Sequence, residues 1–194
     1  MIRGCRQCRR EGEKLFLKGD RCLGQKCAVI KRPYAPGVHG PKGQFRMTDY
    51  AKQLRAKQKA RRYYQLAERQ FAKYYAESAK SAGNTSELLW QRLESRLDNT
   101  IRRANLVLSL TEARQMVTHG MVAVNGKKVD IPSYQVKVGD KIALPIRKEF
   151  PNKQDLPEWI SLDGKKGISI GSFPTVDSVE TPFNINLVIE YYSK

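Results

Sequence analysis

Long apolar runs are missing from this chain of 194 residues. No window approaches the roughly 18 consecutive apolar residues that a membrane-spanning helix needs, which excludes a helical membrane protein. The first residues, Met1-Ile2-Arg3-Gly4-Cys5, have no apolar run behind their charges, so no secretory leader is expected. Acidic side chains are scarce, with 19 Asp and Glu against 36 Lys and Arg, a net of +17. Histidine occurs twice. No nucleophile–base pair, phosphate-cradling glycine loop, dimerisation heptad or internal repeat is visible. These absences leave little room for an enzyme or a coiled-coil dimer.

What remains is a chain with 40% apolar residues, enough to bury a core, and a large basic surplus. The surplus is uneven. Residues 1–62 hold 18 basic and 4 acidic side chains, whereas residues 63–194 hold 18 and 15. A basic surface kept only for solubility would repel itself badly at that density, so a polyanionic partner is expected for the first third. A nucleic-acid-binding arm joined to a more conventional body follows from this asymmetry.

All four cysteines lie in the arm, spaced Cys5-x2-Cys8-x13-Cys22-x4-Cys27. Two close pairs separated by about a dozen residues fit a tetrahedral thiolate site, with zinc as the default metal. An iron–sulfur cluster with four Cys ligands is the alternative, since spacing does not separate the two. Two disulfides are a third possibility, disfavoured where thiols stay reduced. With no histidine beside the cluster, such a metal site would be closed and structural. Arg3, Arg6, Arg9 and Arg10 surround the first pair and would lower the thiol pKa values.

Residues 31–47 carry three prolines and three glycines and read as an extended loop. His39 lies in it, as an exposed residue or a phosphate contact. Residues 48–81 read as one helix capped by Thr48 or Asp49, with Ala56, Ala60, Tyr63, Ala67, Phe71 and Tyr74 on its apolar face. Lys52, Arg55, Lys59 and Arg62 fall within about a quarter of the helix circumference and form a ridge able to follow a phosphate backbone. A second helix is expected over 86–104, burying Leu93, Leu97, Ile101 and Ala104. Ser109 and Glu112 form a capping box for a helix over 110–119 that Gly120 ends. Asn125-Gly126 between β-prone segments signals a hairpin. Residues 134–144 alternate as strands around Gly139-Asp140. Residues 187–192 read as a last strand packing back on the helical body. The fold class is α+β: a mainly helical domain with a metal-bound N-terminal arm, and an inserted small module of two helices and antiparallel strands. The boundaries are 1–47 for the arm and loop, 48–91 for the helical domain completed by 146–194, and 92–145 for the module.

The stretches Ser95-Arg96-Leu97-Asp98-Asn99, Glu112 to Gly120, Val124-Asn125-Gly126-Lys127, Ile131-Pro132-Ser133-Tyr134 and Val138-Gly139-Asp140 resemble the RNA-binding module of the bacterial small-subunit ribosomal protein S4 family. Residues 5–19 are similar to the arm of its cysteine-bearing members. Pro36 to Gly40, Gln53 to Lys59 and the ending Val188 to Lys194 match its loop, first long helix and terminus. Ile101 to Leu106 departs from the family pattern in lacking the usual aromatic and glycine between the module's two helices. The resemblance implies a non-catalytic, cytoplasmic ribosomal component that binds small-subunit rRNA first, nucleates assembly and contributes to translational accuracy. Its implied partners are that RNA and neighbouring ribosomal proteins. It carries RNA contact onto Arg96, Arg114, Gln115, His119, Asn125, Gly126 and Lys127. Arg92, Arg103 and Lys128 join them by placement, and Arg9 and Arg10 by their place in the arm. Tyr34, Phe45, Tyr50 and His39 are candidates for stacking on bases.

Two rival functions follow from the same residues. Arg96-Leu97-Asp98 superficially resembles the catalytic triplet of RNA pseudouridine synthases, but too few residues follow for an ordinary catalytic domain. A zinc-dependent DNA-binding regulator would explain the charge and the cysteines, but not the two-helix module.

Overall fold

The computed structural model describes residues 4–42, 46–145, 156–163, 167–176 and 180–193. Arg3, Phe45 and Pro151 lie outside them. The chain divides into two compact units, Met1–Lys80 with Thr181–Lys194, and Ser81–Glu180.

The first unit begins with three short helices, α1 (Gly4–Glu11), α2 (Asp20–Leu23) and α3 (Ala28–Lys31). Two longer ones follow, α4 (Asp49–Tyr63) and α5 (Glu68–Lys80). The Thr48 hydroxyl caps α4 by accepting from the Ala51 N–H at 3.3 Å. The expected single helix over 48–81 is therefore two. Gln65 stands at φ +51, and the Leu66 and Gln65 N–H groups donate to the carbonyls of Arg61 and Arg62. That is a Schellman ending formed without glycine, so no breaker residue announces it. The break shifts the helical phase: Leu66 is buried and Ala67 is exposed.

The closing segment is also corrected, from strand to helix: α9 spans Ile185–Tyr192 and packs on α4. The Asn184 side chain caps it, accepting from the Asn186 N–H at 2.8 Å. Ile185 and Val188, three apart, are the buried pair. Lys57 of α4, itself buried, lies 4.7 Å from the Tyr191 ring centroid and donates to Glu68 at 2.6 Å. The Tyr192 hydroxyl donates to the same carboxylate at 3.1 Å, and its ring stacks on Tyr75 at 4.6 Å. Burial opposes the Glu68 charge, but the Lys57 and Tyr192 contacts hold its carboxyl below the usual range. β-branched and aromatic composition suggested a strand here, and packing on α4 overrides it.

The second unit contains α6 (Thr85–Glu94), α7 (Leu97–Arg103) and α8 (Leu110–Thr118), then β1 (Ala123–Val124), β2 (Lys127–Lys128), β3 (Lys141–Ala143), β4 (Ile160–Asp163) and β5 (Gly167–Ile170). Its sheet runs β2-β1-β3-β5-β4, antiparallel throughout. Strands β4 and β5 thus extend the module's sheet beyond the expected boundary at 145, instead of joining the helical domain. The helix expected over 86–104 divides at Ser95–Arg96. There Arg96 leaves the helical path to bridge Gln135, while Leu97 N–H donates to the Tyr134 carbonyl and Val136 N–H to that of Ser95. Leu97, Ile101, Ala113 and Val117 pack with Ile142, Trp159 and Ile168 in one core. Between α7 and α8, Asn105 at φ +55 takes the left-handed position that glycine usually fills. Asn125 and Gly126, at φ +50 and +77, make the type I′ turn joining β1 and β2.

Candidate nucleic-acid interface

Cys5 and Cys8 sit three apart on α1, Cys22 lies in α2, and Cys27 precedes α3. All four line one small cavity with Leu17 and Val29, and all are free thiols. The Lys18 N–H donates to Cys22 Sγ at 3.3 Å. Among the described residues no three His, Cys, Asp or Glu side chains stand as a ready-made metal-ligand group. The expectation that nearby arginines lower the thiol pKa values is reversed for two of them. Burial pushes Cys8 and Cys22 up, and repulsion from the other cysteines adds to it. The donor set fits a soft cation chemically, since binding one removes the protons that burial retains.

The ridge on α4 is not bare. The Glu11 carboxylate, 1% exposed, meets Arg62 and, at 3.5 Å, Arg55. Lys59 donates to Glu13 at 2.9 Å. Lys52 pairs with Asp49 at the surface, a contact worth little. Three of the four cations therefore bind the arm to α4. Sequence reading missed Glu11 and Glu13 because they lie over forty residues away, with no spacing signal. Burial raises the Glu11 carboxyl against the pull of Arg62 and Arg55. Glu11→Ala is expected to lower the arm's resistance to local opening by about 2 kcal/mol, since it strands two half-buried guanidiniums. Amide exchange of α1 checks this, and unchanged protection would refute it.

Arg9, part-exposed and itself in the lining of an open groove, is also engaged. Its Nε donates to the Tyr34 carbonyl at 3.0 Å and its guanidinium lies 4.8 Å from the Tyr34 ring centroid. It thereby straps the 31–42 loop to α1. That loop closes tightly, for a Cβ at Gly40 would lie 1.8 Å from the Ala35 carbonyl oxygen. Arg10, Lys52, Arg55 and Lys59 share an open groove of about 740 Å³ with Tyr34, Leu54 and Phe183. His39 is exposed and lies outside the groove's lining.

In the second unit the predicted arginines fall into two kinds of setting. Arg96, 4% exposed, grips Asp98 through Nε and Nη2 at 3.0 and 2.9 Å. Arg114, 27% exposed, donates to Asp98 Oδ2 at 3.0 and 2.7 Å. Arg103 binds Glu94 through two bonds at 2.8 and 2.7 Å, and Asn99 donates to the same carboxylate. Asp98 is fully buried between two guanidiniums, which closes it to a substrate base. Asn125 is likewise engaged: its amide donates to Asp140 at 2.8 Å and its oxygen accepts from the Lys141 N–H at 2.9 Å. Asn125 is exposed despite these bonds, and so are Gln115, His119, Gly126, Lys127 and Lys128. Lys128 lies across Gly120, so the hairpin meets the end of α8 and brings these groups together. Arg92 is half-buried in the last turn of α6.

Residues 3–94 match the family model described as the ribosomal protein S4/S9 N-terminal domain, and residues 95–142 match the S4 domain. The chain is 47% identical over 201 residues to the small ribosomal subunit protein uS4 of Acetivibrio thermocellus, covering 98% of this chain and 96% of the relative. The chain belongs to the uS4 family. The uS4 proteins of Dechloromonas aromatica, 47% identical, and Azoarcus sp., 46% identical, are matched over the same shares. The boundary between the two uS4 family models falls at the bend between α6 and α7, where the Arg96 bridge begins. Strands β4 and β5 and helix α9 lie beyond both models, in a chain of which the uS4 relatives match 98%.

Proposed function

We propose that this chain is a structural component of the bacterial small ribosomal subunit, a primary binder of its rRNA that nucleates assembly and contributes to translational accuracy. Its site of action is then the cytoplasmic ribosome, with neighbouring ribosomal proteins as further partners, and its role is not catalytic. The observation that carries this reading is family membership spanning both units, each of which presents cations at its surface. Folded RNA is recognised mostly through shape, phosphates and 2′-hydroxyls. Arg10, His39, Lys52, Arg92, Gln115, His119, Gly126, Lys127 and Lys128 are the proposed direct contacts. Arg114 presents part of its fork while Asp98 fixes the rest. Arg9, Arg55, Lys59, Arg62, Arg96, Arg103 and Asn125 act in this reading by holding those surfaces rigid.

Counterion release makes such binding steeply salt-dependent. In a filter-binding titration with small-subunit rRNA, Lys127→Ala with Lys128→Ala is expected to lower the log–log salt slope by about one to two units. Absence of rRNA affinity even in dilute buffer, together with failure to sediment with 30S particles, would overturn the assignment.

The zinc-bound form of the arm belongs to the same proposal. Cys5, Cys8, Cys22 and Cys27 would hold the ion, with an iron–sulfur cluster as the alternative occupant. Bound metal supplies a fold-closing cross-link and no chemistry at a substrate. The shared cavity and the Lys18 N–H aimed at Cys22 support it. Metal analysis of the purified protein should find one zinc per chain, and finding neither zinc nor iron would refute it.

A further inference from the structure

The loop joining α1 to α2 holds an aromatic ring outward at a backbone position that disfavours it. Leu15 is wholly buried and Leu17 nearly so, yet Phe16 between them is 45% exposed. Phe16 stands at φ +49, a left-handed conformation that glycine or asparagine adopts readily and a bulky side chain does not. A residue selected for packing would be buried, and one selected for the backbone alone would be Gly or Asn. Phe16 is neither, and strain retained at a surface position points to function.

The backbone that carries the ring is anchored on both sides. The flanking leucines anchor the loop, the Leu15 N–H bonds to Cys8, and the Lys18 N–H donates to Cys22 Sγ. Among the described residues no ring or cation lies against Phe16. Tyr34 by comparison is covered by Arg9, and Tyr50 meets Tyr191 at 5.9 Å. Lys14 and Lys18 sit two residues to either side, and neither pairs with a carboxylate among the described residues. An apolar ring between two such cations is complementary to a base between two phosphates.

We propose that Phe16 is a stacking platform for an unpaired nucleobase of the bound RNA, with Lys14 and Lys18 meeting the flanking phosphates. This rests on the rRNA-binding reading above and names a contact within it. Stacking is indifferent to base identity because every base offers a π-face, so the platform sets affinity more than sequence choice.

The test uses the full chain and small-subunit rRNA. Phe16→Gly removes the ring and relieves the backbone, so the arm stays folded, which amide exchange verifies. Its affinity is expected to fall about 5- to 150-fold with an unchanged salt slope. Phe16→Trp should retain affinity and add an emission component quenched by RNA. Lys14→Ala with Lys18→Ala should lower the salt slope by about one to two units. Wild-type affinity in Phe16→Gly, or no quenching in Phe16→Trp, would overturn the platform. So would normal rRNA binding by Phe16→Gly with failed incorporation into the subunit, since the ring would then face a protein. If the wild-type chain itself ignores rRNA, the broader reading fails instead.

Discussion

Asp98→Ala is expected to destabilise the second unit by about 3–5 kcal/mol, the usual cost of breaking a buried ion pair from one side. Asp98 has no exposure, and Arg96 has only 4%. Removing the carboxylate leaves the Arg96 guanidinium in the interior without its two bonds, and Arg114 loses the partner that orients it. Most of the loss is the cost of keeping a guanidinium buried with fewer bonds than it had, rather than the attraction itself. Trp90 and Trp159 both lie in this unit and are buried, so their emission in urea reports its unfolding directly. Asp98→Ala combined with Arg96→Met should recover much of the stability by removing the buried cation as well. A loss below about 1 kcal/mol in the single variant would show that water or another group solvates Arg96.

The second large effect is expected in the arm. If the arm holds the proposed zinc, Cys22→Ser should abolish tight metal binding and leave residues 4–31 open to exchange, while α5 and α8 keep their protection. Structural zinc contributes an apparent ~10–16 kcal/mol in small metal-folded peptides at pH 7, so the loss of one thiolate in four outweighs the packing of three short helices. Leu15 and Leu17 are the buried apolar anchors of that loop, and Cys22 also receives the Lys18 N–H. Retained metal and unchanged exchange in Cys22→Ser would place the arm's stability elsewhere, in the Glu11 and Glu13 contacts with α4.

Local chemistry was legible wherever a few neighbouring residues decide the outcome. Ser109 accepts from the Glu112 N–H, and the Glu112 carboxylate accepts from the Leu108 N–H, close to the capping box read from the sequence. The Asn125-Gly126 turn, the Thr48 cap and the buried face Leu97, Ile101, Ala104 likewise follow from adjacent residues. The two helix breaks did not, because Gln65 and Ser95–Arg96 are unremarkable in helices. One is closed by a Schellman ending, and the other by the bridge from Arg96 to Gln135, 39 positions away.

The sequence by itself determined the basic arm, its cysteine pattern, the module's hairpin and the family, since composition, spacing and motif are properties of the chain order. Only the tertiary structure decided which cations are spent internally. Arg55, Arg62, Arg96 and Arg103 look the same in sequence as Lys127 and Lys128. Glu11, Asp98 and Glu94 separate them, because a carboxylate enclosed by the fold can hold a guanidinium that water would otherwise claim. The same holds for α9, whose composition suits a strand and whose conformation is set by the face of α4 that it covers.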